Sequence, residues 1–320
     1  MWHDERAELY RMAHPLICEL EPGPLILSTR AMTEPLCLLQ VHAHPDDEAS
    51  KGSGTTAKYA AEGVRCVLVT CTGGEAGEIL NPAADTPEAR ADLPALRMRE
   101  LEESVSILGY SALHLLGYHD SGMPDTDDNR RPDNFWNADI DEAVGKLVSI
   151  VRAERPQVII AYGDDHSFYP HPDHIRAHEI AVTAFEAAGV ADRFPGTGDP
   201  WSPKKLYYSG WTRRRIQALH DAYAKSGTDS PFAEFLKAIK GDSDHLYMTQ
   251  IDVGDVLDKR RASLLAHRTQ IDPESFWMAL PDDVMREVYR WEEYILARTL
   301  VDTGIAPGEV ETDLFAGLRP

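Results

Sequence analysis

Short apolar runs recur along this chain, each too brief for a helix and each ended by polar residues. They are Leu36–Val41, Arg65–Thr70, Ala112–Leu116, Gln157–Tyr162 and Leu206–Ser209. Runs of this length read as buried strands. Between them lie stretches of helical character: about Ser53 to Glu62, Ala95 to Leu108 stopped by Gly109, and Ile140 to Arg155 closed by Pro156. A further helix is expected after Asp173. Strand and helix in alternation predict an α/β fold with a mainly parallel sheet flanked by helices. The Pro/Asp/Asn-rich run from Met123 to Asn134 reads as a long loop. Residues 1–32 carry Pro15, Pro22 and Pro24 without periodicity and read as an N-terminal extension, with Met32 as a candidate start. Residues 33–230 form the main domain. Residues 231–320 are expected to be a helical segment packed on that domain, with helices at Val256–His267 and Val284–Leu300, and an irregular tail from Asp302. Trp277, Tyr289, Trp291 and Tyr294 read as packing residues there.

Composition narrows the class. The 320 residues are 43% hydrophobic and 27% charged, as in an ordinary globular protein. Lys plus Arg number 32 against 53 Asp plus Glu, a formal net charge of -21. Such a surface repels phosphate backbones, so a nucleic-acid partner is not expected. Four cysteines, Cys18, Cys37, Cys66 and Cys71, lack metal-type or disulfide-type spacing. Cys37 and Cys66 fall within apolar runs, as small buried hydrophobes do. No uninterrupted apolar stretch is long enough to cross a membrane, and Met1–Glu5 lacks the pattern of a signal peptide. The expected location is the cytoplasm, as a monomer or homo-oligomer, with no membrane partner.

Chemistry concentrates at two strand ends. The first run leads into His42-Ala43-His44-Pro45-Asp46-Asp47-Glu48, and the run ending at Tyr162 leads into Tyr169-Pro170-His171-Pro172-Asp173-His174. Either cluster alone could be a polar loop with a capping aspartate. Both at matching strand ends, where open α/β sheets bind ligands, argue for a site. Imidazole and carboxylate suit a divalent metal such as zinc. His44, Asp47 and His174 would give three ligands and an open position, with Asp46 placed as a base. A nucleotide-binding module using Gly73-Gly74 ranks last, because no Gly-x-Gly-x-x-Gly or Gly-x-x-x-x-Gly-Lys run is present.

The two clusters together resemble the LmbE-like (PIG-L) family of metal-dependent N-deacetylases and amidases, which carries His-Pro-Asp-Asp-Glu at its first strand and a late His-Pro-Asp-His. The resemblance is strong from Leu36 to Ala188. It implies a three-layer, Rossmann-like sheet and one Zn2+ per chain, with Fe2+ or another divalent metal as an alternative, held by His44, Asp47 and His174. It makes Asp46 the general base and gives His171 and Tyr169 to the transition state. Arg97, in an Arg-x-x-Glu-Leu helix, and Asp120, in Asp-Ser-Gly-Met, are similar to residues that hold a sugar–inositol, and Met123 would line that pocket. Glu48 is expected to orient a ligand from behind. Glu75 reads either as a pocket-mouth residue or as a helix cap. Lys51, Cys71–Pro82 and Tyr208–Arg215 look like the family's amidase branch, which acts on mycothiol S-conjugates, a small-molecule thiol–sugar partner. The alternatives are the deacetylase branch of mycothiol biosynthesis, or a deacetylase of another amino sugar.

Overall fold

The computed structural model describes residues 35–166, 169–227, 229–238 and 243–319. Its sheet contains β1 (Cys37–His42), β2 (Arg65–Thr72), β3 (Ala112–Tyr118), β4 (Val158–Tyr162), β5 (Lys205–Gly210), β6 (Thr249–Asp252) and β7 (Trp291–Thr299). Their order across the sheet is β3-β2-β1-β4-β5-β7-β6. The first five pair in parallel, β7 joins β5 antiparallel, and β6 closes the edge antiparallel to β7.

The helices are α1 (Asp47–Ser50), α2 (Ser53–Ala61), α3 (Pro87–Ala91), α4 (Leu93–Leu108), α5 (Ile140–Glu154), α6 (Pro172–Ala187), α7 (Arg213–Ser226), α8 (Ala233–Ala238), α9 (Leu257–Ala266) and α10 (Asp282–Val288). Gly109 ends α4 in the left-handed region at φ 82°, which explains the stop read from sequence.

Side-chain alternation makes the layers. From β1, Cys37, Leu39 and Val41 pack on one face with Leu147 and Val151 of α5 and Ile180 of α6. Leu38 packs on the other face with Ala57 of α2, Leu101 and Leu108 of α4, and Leu257 of α9. Both faces of these strands are buried, so they read as continuous apolar runs rather than alternating ones. The chain builds outward from β1 to β3 and then returns to β4 on the other side of β1. That reversal opens a crevice at the carboxyl ends of β1 and β4, the place where doubly wound sheets take ligands.

Two expectations need correction. Val284–Leu300 is not one helix: α10 ends at Val288, and β7 follows. The segment 231–320 is therefore not simply helical, since it adds two strands to the sheet. Its Tyr294 is buried as expected, whereas Trp291 is 38% exposed. The expected extension 1–32, with Cys18 and the candidate start Met32, lies outside the described residues. Cys37, Cys66 and Cys71 are buried and free. No described helix is long and apolar enough to cross a membrane.

Candidate active site

Beyond β1 the chain turns sharply. The backbone N–H of His44 donates to Asp47 Oδ2 at 2.9 Å. Asp46 stands at φ 114°, a left-handed conformation uncommon for a residue with a side chain. Its surroundings hold it there. The Asp46 N–H donates to Glu48 Oε2 at 3.0 Å, and Arg97 Nη2 donates to Asp46 Oδ2 at 3.0 Å and to the Pro45 carbonyl at 2.6 Å. Arg97 Nη1 reaches the Gly74 carbonyl at 2.7 Å. A Cβ on Gly74, which has φ 70°, would fall 2.3 Å from that same nitrogen. Gly74, and likewise Gly77, lets the loop after β2 close on the guanidinium. Glu48 is braced in turn by Ser104 of α4 and by His267, whose Nε2 lies 2.6 Å from Glu48 Oε1.

Asp47 is the centre of the cluster. Its Oδ2 lies 3.4 Å from His44 Nδ1 and 3.5 Å from His174 Nε2, and accepts from the Tyr162 hydroxyl at 2.7 Å. Its Oδ1 accepts from Lys51 Nζ at 2.6 Å. Ligand atoms of His44, Asp47 and His174, all buried, lie within 4.8 Å of one another. A second buried group, His44, Asp120, His171 and Asp173, meets the same limit and shares His44. His44 Nε2 is 3.2 Å from Asp173 Oδ2 and 3.6 Å from Asp120 Oδ1.

The electrostatics suit a cation. Burial works to lower the His44 pKa, but hydrogen bonds donated by the protonated ring to Asp120, Asp173 and Asp47 outweigh it and hold the imidazole well above its ordinary value. That surplus of carboxylate is an environment in which a divalent ion can take the place of the proton. Burial drives His174 well below its ordinary value, leaving the neutral imidazole that metal ligation needs. The Asp173 Oδ1 atom is buried without a hydrogen-bond partner. The donor set therefore fits a metal. Burial, with Asp47 beside it, raises Asp46 against the opposing pull of Arg97, which favours a proton acceptor.

The other expected residues fall as follows. His171 is buried and caps α6, its Nδ1 accepting from the Asp173 N–H at 3.2 Å. Burial, then the His44 charge, lowers its pKa. Tyr169 is 51% exposed, its ring 5.1 Å from that of His174 and 5.8 Å from that of His171. Asp120 is buried, its Oδ1 accepting from the Gly122 N–H. Glu75 caps no helix: its Oε2 accepts from the Asp120 N–H at 2.9 Å. Arg97 is only 3% exposed and is occupied by the loops described above. Met123 is 41% exposed on the loop after β3. Sequence reasoning missed Tyr162, Asp173 and His267 as parts of the site. The first two were within reach, one at the end of an apolar run and one inside the second motif. His267 had no local signal.

The family model for GlcNAc-PI de-N-acetylase (PIG-L) matches residues 39–185. Over 296 residues the chain is 42% identical to the mycothiol S-conjugate amidase of Streptomyces coelicolor, a match covering 90% of this chain and 99% of that protein. The chain belongs to the PIG-L family. A second PIG-L relative, the 1D-myo-inositol 2-acetamido-2-deoxy-alpha-D-glucopyranoside deacetylase of Streptomyces avermitilis, is 38% identical over 295 residues, 88% of this chain and 97% of that one. Among solved structures, the N,N'-diacetylchitobiose deacetylase of Pyrococcus horikoshii superposes with a TM-score of 0.55 at 18% identity, covering 81% of this chain and 82% of that one. That likeness is one of fold. Amidases and deacetylases of the PIG-L family are hydrolases, and this chain is an enzyme of that kind.

Proposed function

We propose that the chain is a zinc-dependent amidase that cleaves the amide between a cysteinyl acyl group and glucosaminyl-inositol in mycothiol S-conjugates, releasing an N-acetylcysteine S-conjugate in a detoxification step. The observation that carries this reading is the setting of Lys51. Its side chain is 29% exposed, and its ammonium donates to Asp47 Oδ1 and to Ser50 Oγ. An ammonium has three donors. The third remains for an acceptor on the acyl half of a ligand, and a conjugate offers several where an acetyl group offers only its carbonyl.

His44, Asp47 and His174 would hold the metal, one per chain. The bound ion would supply positive charge that polarises an amide carbonyl and acidifies a water, zinc being the ion expected and Fe2+ an alternative. Asp46, fixed by Arg97 and by its own N–H to Glu48, takes the proton from water. His171 and the half-exposed Tyr169 face the developing oxyanion. The leaving amine takes its proton from Asp46 or from His171. Lys51 holds the acyl half, while Asp120 and Met123 border the sugar side and Glu75 fixes the Asp120 loop. Arg97 acts on Asp46 rather than on the sugar.

A second reading, removal of acetate from the same sugar amine, is favoured by the deacetylase name that other relatives carry at 38–39% identity. Turnover of a thiol-conjugated mycothiol against the acetylated glucosaminyl-inositol separates the two. Under the amidase reading, Lys51→Ser lowers kcat/KM for the conjugate roughly ten- to a hundredfold, the worth of one charge-assisted hydrogen bond, and much less for the acetylated sugar. Equal losses on both substrates overturn the role of Lys51. A wild-type preference for the acetylated sugar overturns the amidase reading itself.

A further inference from the structure

Away from the His/Asp cluster, a small, partly open cavity of about 20 Å³ lies among α7, α9 and the chain before α10. It has room for about one water-sized group. Its walls include Trp211, Phe232, Phe276 and Trp277, and two arginines, Arg215 and Arg260, line it with them. The aromatic wall is continuous: Trp277 meets Trp211 edge-on at 5.7 Å and lies 4.7 Å from Phe276.

Among the described residues neither cation forms an ion pair, although the charges of Glu292 and Asp282 act on Arg260 from farther off. Arg215 is 6% exposed, and its Nε is buried without a hydrogen-bond partner. Its guanidinium rests 4.3 Å over the Trp211 ring, a contact that uses the face of the group and leaves its N–H donors free. Arg260 is half-buried; desolvation and then the charge of Arg215 depress its pKa to about 10, so it remains protonated at neutral pH. The carboxylates nearest in effect are committed elsewhere. Asp282 pairs with Arg261 Nε at 2.9 Å, and Glu292 accepts from the N–H groups of Gly54 and Thr55. Unpaired buried charge is costly, and a pair of like charges costs more. Among the described residues no ion pair accounts for two guanidiniums lining one cavity of this size.

We infer that this cavity is an anion site, in which Arg215 and Arg260 together bind one small monovalent anion, a halide or a carboxylate group, inside an aromatic wall. The inference stands apart from the choice of amide substrate. The anion neutralises the repulsion between the two guanidiniums, and it ties α7 to α9.

The test uses the full-length protein at fixed ionic strength, with potassium gluconate, whose carboxylate is flanked by a hydroxylated chain too bulky for the cavity mouth, replaced stepwise by chloride or by acetate. The midpoint of thermal unfolding should rise saturably, by roughly 2–4 °C once the anion is about tenfold above its dissociation constant. A larger rise in chloride assigns a free halide, and a larger rise in acetate assigns a carboxylate group. Arg260→Met should unfold at a higher temperature than wild type in gluconate, because the repulsion is gone, and should not respond to either anion. Equal responses from wild type and variant, or no response from wild type, overturn the site. Should Arg260→Met fail to fold, Arg260→Lys, which retains the charge but has fewer donors, should shift the anion midpoint upward. An unchanged midpoint in that variant also overturns the proposal.

Discussion

Two adjacent aspartates with similar chemistry are separated by what touches them. Asp47 is wrapped by Lys51, Tyr162, His44 and His174, and against burial Lys51, His174 and His44 drive its carboxyl well below the ordinary range. Asp46 is turned aside by its left-handed backbone and raised instead. Asp46→Asn should therefore keep about one metal per chain while kcat falls ~10²–10⁴-fold, and Asp47→Asn should lose metal affinity. Elemental analysis beside turnover checks both, and an equal drop in metal for the two variants contradicts this division. Arg97 gives a sharper case. Arg97 reaches Gly74 O from Nη1 and Pro45 O and Asp46 Oδ2 from Nη2, a spread that the single nitrogen of a lysine does not span, so Arg97→Lys should lower kcat by roughly ten- to a hundredfold. KM should hardly change. A raised KM with kcat intact would return Arg97 to the sugar, as the family resemblance had it.

At the scale of elements, the site depends on a strand that sequence patterning hid. β7 lays Glu292 across the start of α2, where its two oxygens accept from the N–H groups of Gly54 and Thr55 at 3.0 and 2.8 Å. A carboxylate on a helix N-terminus satisfies unpaired donors and complements the dipole. Glu292→Ala should cost about 0.5–2 kcal/mol of stability, measured by denaturant unfolding, with α2 losing hydrogen-exchange protection first. The parallel strands and α4 to α6 were legible because apolar runs, Gly109 and Pro156 punctuate them. β7 was not, because Glu292 and Glu293 interrupt its apolar pattern while being themselves buried, and Ile295, Leu296 and Ala297 pack on alternate faces. A strand buried on both sides loses its period of two, and the remaining Leu, Ala, Glu and Arg read as helix formers. In the same way His44, Asp47 and His174 were legible as motif residues, whereas Tyr162 was read only as the end of an apolar strand.

For the whole molecule, the notable tie is between the first motif and a residue 219 positions later. His267, at the end of α9, is fully buried against Glu48, and through Glu48 it bears on the Asp46 backbone. Burial works to lower the His267 pKa, but the Glu48 charge and hydrogen bond prevail, and the net shift is upward. Burial likewise tends to raise Glu48, and His267 and Ser104 more than offset it, so its pKa falls. The sign of the linkage follows. Stability from the raised imidazole is complete below its unfolded pKa of about 6.5 and is lost as pH rises through the folded value. Stability from the depressed carboxyl is present above about 4.3 and is lost as pH falls through the folded value. The pair thus contributes most near about pH 5–6. His267→Gln, which keeps a neutral donor in place of the cation, should be destabilised there by about 1–3 kcal/mol, the cost of replacing a charged hydrogen bond by a neutral one. The deficit should shrink as pH rises through the raised folded value, where wild-type His267 is itself losing its proton. Chemical denaturation of both proteins across that range measures it, and a deficit independent of pH would mean that His267 acts through packing alone.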